Sequence, residues 1–81
     1  MEAGKACFQA GTGYGGGYHG EVPSIASPRD CLKECREKGG CTIFYWAGDT
    51  NICWLKKPGT TPHSNSDAVS GLISDCESIE V

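Results

Sequence analysis

The chain has 81 residues, six of them cysteine, and a formal net charge of −3. A chain of this length forms one domain at most, and its apolar core is too small to be stable without cross-links. The acidic balance argues against a nucleic-acid partner, which would need a basic face, and no stretch approaches the roughly 20 apolar residues of a membrane span.

Cysteine is abundant and even in number, which in a short chain is typical of a disulfide framework made in an oxidising compartment. Structural zinc sites are the alternative, and they combine a C-x2-4-C pair with a second such pair or with histidines. From Cys31 the spacing is C-x3-C-x5-C-x11-C, and neither His19 nor His63 stands at ligand spacing to a cysteine. We therefore expect disulfides, a secreted protein, no metal and no cofactor.

The expected organisation is a single module over residues 7–76. Residues 1–6 form a short lead-in, and residues 77–81 form a tail or a linker between modules. The first residues lack the apolar run of a signal peptide, so a secretion signal is expected outside this sequence.

The first segment, "KACFQA" (residues 5–10), suits a strand, and "GTGYGGGYHG" (residues 11–20) follows it. This glycine run contains G-x-G-x-x-G twice, but a dinucleotide loop needs a helix directly after it, and none can start before Ser27. A long, mobile loop is expected instead. It would display Tyr14 and Tyr18 for recognition, with core cover as the alternative role, which is favoured for Tyr18.

The segment "SPRDCLKECREKGG" predicts a helix over about residues 28–38. Ser27 is a suitable N-cap, Pro28 suits the first helical position, and the glycine pair after the helix ends it. One apolar stripe on this helix is expected to face the core: Cys31, Leu32 and Cys35.

A hairpin and a closing strand are predicted after the helix. "CTIFYWA" (residues 41–47) is apolar on both faces, which indicates a central strand, and "GDTN" is a turn. "ICWLKK" (residues 52–57) is the return strand. Residues 58–67 have loop composition, and "AVSGLISDC" (residues 68–76) is the last strand.

This layout predicts which cysteines pair. Cys31 and Cys35 share a helix face one turn apart, too far for a relaxed disulfide. The strand that begins at Cys41 starts near the helix C-terminus, close to Cys35, and the return strand brings Cys53 to Cys31. The expected pairing is nested: Cys7–Cys76, Cys31–Cys53 and Cys35–Cys41.

The run "SPRDCLKECREKGGCTIFYWAGDTNICWLK" resembles the centre of PAN/apple domains, and the likeness extends over residues 7–76. The glycine- and tyrosine-rich first segment further resembles apple modules of coccidian microneme adhesins. The resemblance implies an α+β fold, with a five-stranded antiparallel sheet around one helix. It also implies protein-binding or glycan-binding functions without catalysis in the module.

Several side chains are candidates for a binding site. Lys56 and Lys57 adjoin a loop that holds His63, and a sugar or an anionic group could bind there. The alternative is a solvated strand end that binds no ligand. Trp54 is expected in the core because it follows Cys53, while Trp46 is open between core and site. The candidate ligand-binding residues are Tyr14, Tyr18, His19, Trp46, Lys56, Lys57 and His63.

The sequence does not favour an enzyme, because oxidised cysteines provide no thiolate and neither histidine has a neighbouring nucleophilic serine. We expect one unit of a multi-module secreted adhesin, stored in a secretory organelle such as the microneme. Its expected partners are a host-cell surface glycan or protein, other modules of the same chain and other adhesin subunits, without membrane insertion. Two alternatives stay open: a structural spacer without a ligand, and a small disulfide-rich enzyme inhibitor.

Overall fold

A computed structural model describes residues 7–77, and the predicted α+β fold is confirmed. One helix packs on one face of a five-stranded sheet, and all neighbouring strands in the sheet are antiparallel. The predicted lead-in at residues 1–6 lies outside the described residues, as do residues 78–81 of the tail predicted at residues 77–81. The elements are β1 (Gln9–Gly15), β2 (Tyr18–Val22), α1 (Pro28–Glu37), β3 (Ile43–Ala47), β4 (Ile52–Lys56), β5 (Thr61–Leu72) and a 3-10 turn (Ile73–Asp75). The strand order across the sheet is β1-β5-β3-β4-β2.

The helix α1 begins where the sequence predicts and ends one residue earlier. The Ser27 hydroxyl accepts a hydrogen bond from the backbone N–H of Asp30 at 3.2 Å, which satisfies one of the free donors at the helix start. Gly40, with φ of 88°, makes the reversal that leads into β3. Within the described residues, no helix is long and apolar enough to cross a membrane.

The core lies between α1 and the central strands β3 and β4. Leu32 of the helix and Phe44 of β3 are 0% exposed, and Leu55 of β4 is 2% exposed. Gly71 of β5 lies against the Phe44 ring, where an added Cβ would stand 2.7 Å from Phe44 Cζ. A side chain at position 71 would therefore collide with the backbone carbonyl of Cys7 as well as with the Phe44 ring.

The three predicted disulfides are all present and leave no free cysteine. Cys31–Cys53 joins α1 to β4, and Cys35–Cys41 joins the end of α1 to the segment before β3. The outer bridge, Cys7–Cys76, holds the two ends of the module 4.7 Å apart between Cα atoms. The cysteines therefore form much of the buried volume as well as the cross-links.

The sequence predicted a loop over residues 58–67, and this was wrong for residues 61–67. Residues 61–67 belong to the 12-residue strand β5, which pairs with β1 through Gly13↔His63 and Gly15↔Thr61. The loop-like composition is overridden by a partner distant in sequence. The closing strand was also predicted too long, because β5 ends at Leu72 and a 3-10 turn leads to Cys76.

The glycine run is not the long, mobile loop that the sequence suggested. It contributes most of β1 and the start of β2, which lie at opposite edges of the sheet. Only Gly16 and Gly17 connect them, both with positive φ. Gly17 accepts a hydrogen bond from the Lys57 backbone N–H at 2.7 Å, and an added Cβ would stand 2.5 Å from the Lys57 carbonyl oxygen. Glycine is needed there because the crossing is so close.

Candidate functional site

The sheet face opposite α1 carries aromatic side chains from the same strands that build the core. In β4, Trp54 lies between Cys53 and Leu55, which are both buried on the helix side. Because side chains alternate along a strand, Trp54 lies on the opposite face. In β3, Tyr45 follows the buried Phe44 and pairs directly with Trp54. Two rings from the central strands are thus adjacent on the face away from the helix.

Four rings continue across this face in the spatial order of the strands that carry them. We call them the aromatic row: His63 of β5, Tyr45 of β3, Trp54 of β4 and Tyr18 of β2. Tyr45 and Trp54 are stacked, with ring centroids 6.5 Å apart and an angle of 23° between planes. Tyr18 meets Trp54 edge-on at 6.4 Å, and His63 meets Tyr45 at 6.2 Å and 90°. These separations are those of mutually favourable aromatic pairs.

Polar groups border the aromatic row. Asn65 Nδ2 donates to the Tyr45 hydroxyl at 3.0 Å, and the Tyr18 hydroxyl donates to Glu21 Oε1 at 3.4 Å. The ammonium nitrogen of Lys56 lies 5.6 Å from the centre of the Trp54 ring, within the range of a cation–π contact. The row therefore combines flat apolar rings with hydroxyl, amide, carboxylate and ammonium groups.

Gly13 makes room for one end of the aromatic row. An added Cβ at this buried position would stand 2.8 Å from His63 Cε1 and 3.3 Å from Tyr45 Cε1. The strand pairing breaks nearby: two steps of β1, from Ala10 to Thr12, correspond to five steps of β5, from Ser64 to Val69. These extra residues of β5 lie next to His63, whose ring meets Tyr45 beside Gly13.

Four of the residues predicted as ligand-binding lie away from the aromatic row. Tyr14 pairs with Pro62 in β1 and lies on the other face of that strand from Gly13. His19 Nε2 is 2.7 Å from the Gly39 carbonyl oxygen, beyond the end of α1. Trp46 packs against the core, and its indole N–H donates to the Ile25 carbonyl at 2.8 Å. Lys57 is exposed beyond the end of β4.

The structure brings together Tyr18, Lys56 and His63 of the predicted set, and it corrects two expectations. Tyr18 was expected to be buried by its strand, but it is 58% exposed because β2 is an edge strand and its side chain lies on the face without a helix. Trp54 was expected in the core, but it is half-buried in the row. Its position between two helix-facing residues was the signal that could have identified it, and the same holds for Tyr45.

Two grooves lie outside the aromatic row. One, of about 270 Å³, separates β2 from α1 and is bordered by Glu34 and Glu37. The other, of about 430 Å³, lies near the end of β5 and is bordered by Pro58 and Leu72. Neither contains a ring of the row, although Glu21, which borders the row, also lines the first groove.

A family model for the PAN domain matches residues 7–78 of the chain. The chain belongs to the PAN domain family. The solution structure of a PAN module from Eimeria tenella has the same fold, with a TM-score of 0.63 and 26% sequence identity. That match covers 90% of this chain and 85% of the Eimeria module. A search of curated proteins finds no match.

Membership in the family gives the general class of function. PAN modules are non-enzymatic adhesion and interaction modules that bind proteins or carbohydrates. A PAN module with three disulfides is typical of an extracellular, secreted protein. The family does not specify the ligand, which depends on the side chains of the individual module.

Proposed function

We propose that this PAN module is an extracellular recognition module that binds glycans through the aromatic row. The observation that carries the proposal is the continuity of the row: four rings from four neighbouring strands lie side by side on the face that α1 leaves open. Isolated exposed aromatics are common on protein surfaces, but a contiguous apolar patch with a polar border is typical of a binding site.

The chemistry of the row suits a sugar ring. A pyranose has a flat face of C–H groups, which stacks on an aromatic ring, and a rim of hydroxyl groups, which needs donors and acceptors. Trp54 and Tyr45 provide the flat surface, while Glu21 and Asn65 provide a carboxylate and an amide at its border. A few polar groups around an apolar centre fix the orientation of a bound ligand.

The position of the chain ends argues against a role as a spacer. Cys7 and Cys76 are 4.7 Å apart between Cα atoms, so the chain enters and leaves the module at one point. A module attached in this way adds little length to an array, which is a poor property for a spacer. In a multi-module adhesin, stored in a secretory organelle such as the microneme, several such modules would bind a host-cell surface together with higher avidity.

The test is a glycan array probed with the oxidised module and with two variants. Trp54→Ala removes the central ring of the row and is expected to weaken binding by at least about tenfold, as a central aromatic contact does. Tyr14→Ala removes an aromatic ring of similar size from the other face of β1 and is the matched control. It is expected to keep wild-type binding, and intact disulfides with dispersed amide NMR signals establish that both variants are folded.

Other outcomes would replace this proposal with one of its alternatives. A folded module that binds no glycan but captures a protein from a host-cell membrane extract, with loss on Trp54→Ala, would indicate a protein partner. Binding in neither assay would indicate a structural spacer. Inhibition in a protease panel would indicate an enzyme inhibitor instead.

A further inference from the structure

We infer that the glycan recognised by the aromatic row is an acidic one, whose carboxylate is bound by Lys56. This inference rests on the proposed function and adds to it the chemical class of the sugar. It comes from the environment of the lysine, which differs from that of an ordinary surface lysine.

Lys56 is buried to an unusual degree for its type, with 7% of its surface exposed. Lysine is almost never buried unless its charge is paired. Within residues 7–77, however, no carboxylate lies within salt-bridge distance of its ammonium group, and the contact made by that group is with the Trp54 ring. The aliphatic part of Lys56 is thus packed into the protein, while its ammonium group remains a positive charge at the border of the aromatic row that a ligand carboxylate could pair with.

The ammonium group of Lys56 is also held in position for a ligand on the aromatic row. Its side chain projects from β4 on the same face as Trp54, two residues earlier, and with 7% of the residue exposed its aliphatic part is packed against neighbouring groups. The rotamer freedom that lysine normally loses on binding is therefore already lost in the free module. Since the nitrogen lies over Trp54, a sugar stacked on that ring would bring a carboxylate substituent within its reach.

The charges around the row favour a single carboxylate over a polyanion. Glu21 borders the same face, where it accepts a hydrogen bond from the Tyr18 hydroxyl, and its negative charge would repel further negative groups. The whole chain has a net charge of −3. Lys57 is exposed and lies beyond the end of β4, so it does not add to the charge beside Trp54.

The test compares sugars that differ in one charge. The probes are methyl glycosides of N-acetylneuraminic acid and of glucuronic acid, each paired with its neutral methyl ester, titrated into the module and followed by amide NMR shifts. We expect each acid to bind about tenfold more tightly than its ester, the size of a charge-assisted hydrogen bond. Lys56→Met keeps the aliphatic bulk and is expected to bring the ratio of the acid and ester affinities close to one.

Two further variants make the result specific to this site. Lys57→Met removes the same charge one residue away and is expected to keep the full preference for the acid. Glu21→Gln keeps an acceptor for the Tyr18 hydroxyl and removes the competing negative charge, so the preference is expected to rise two- to threefold at low salt.

The possible failures are distinguishable. Equal binding of acid and ester, or an equal loss of both in Lys56→Met, would overturn the inference and leave the glycan function intact. Lys56-dependent binding of a glutamate-rich peptide, without binding of any sugar, would overturn the assignment to a saccharide. No binding of any glycan by the folded module would overturn the proposed function together with this inference.

Discussion

The two faces of the sheet use the same strands for different purposes. Toward α1, Phe44 and Leu55 are almost fully buried, and the Cys31–Cys53 disulfide lies beside them. On the opposite face, Tyr45 and Trp54, each next in sequence to one of these core residues, remain half-buried. The comparison suggests why a small module can leave large aromatic side chains outside its core: covalent cross-links supply stability that apolar burial would otherwise have to provide.

Removal of a disulfide should have the largest effect and should act through the helix face. Replacing both Cys31 and Cys53 with alanine removes a cross-link between residues that are 22 positions apart. The chain-entropy model gives a loss of about 3 kcal/mol in the free energy of unfolding for this separation. The matched pair, Cys35 and Cys41, is separated by 6 residues and should cost about 2 kcal/mol. Chemical denaturation of both double variants measures the difference, and the reverse order would show that loop closure does not explain the stability.

Gly71→Ala should have the next largest effect on the free energy of unfolding, because it brings a methyl group against the core without removing a cross-link. The added Cβ would collide with the backbone carbonyl oxygen of Cys7 and would stand 2.7 Å from the Phe44 ring, and overpacking of this kind costs about 1–3 kcal/mol. Gly39→Ala is the control, since no atom lies within 4 Å of its added Cβ. The free energy of unfolding should fall for the first variant and stay within about 0.5 kcal/mol for the second. Similar values for both would mean that Gly71 is not required by packing.

His19→Ala should lower the stability of the module without changing its binding of glycans. The imidazole Nε2 is 2.7 Å from the Gly39 carbonyl oxygen, and losing that hydrogen bond should cost about 1 kcal/mol. Because this contact lies beyond α1 and away from the aromatic row, glycan binding should not change. A loss of binding without a loss of stability would place His19 in the site.

Ser70→Ala should have the smallest effect and the opposite sign. Ser70 is 1% exposed, and its hydroxyl has no hydrogen-bond partner within the described residues. Removing an unsatisfied buried hydroxyl should leave stability unchanged or raise it by up to about 1 kcal/mol. Ser74→Ala, at an exposed position, is the neutral control. A clear destabilisation by Ser70→Ala would show that the hydroxyl has a partner after all.

Local signals made the helix face predictable from the sequence. Ser27 and Pro28 mark the start of α1, the apolar run of residues 41–47 marks the central strand, and the positions of the cysteines then fix the disulfide pairing. Each of these depends on neighbours within a few residues or on the cross-links themselves. The helix face follows from such short-range information.

The aromatic face could not be predicted in the same way. Residues 61–64 form part of a strand because they pair with β1, about 50 residues earlier in the chain. The exposure of Tyr18 follows from the edge position of β2, which depends on the crossing at Gly16 and Gly17. Trp54 is the exception, since alternation with Cys53 and Leu55 already indicates its face.

The central claim is that the aromatic row, not the helix face, is the recognition surface, and amide chemical-shift mapping with a bound glycan tests it most directly. The largest shifts should fall on Tyr18, Trp54, Tyr45 and His63, with the amides of α1 almost unchanged. Shifts concentrated on Glu34 and Glu37, in the groove beside α1, would contradict the claim.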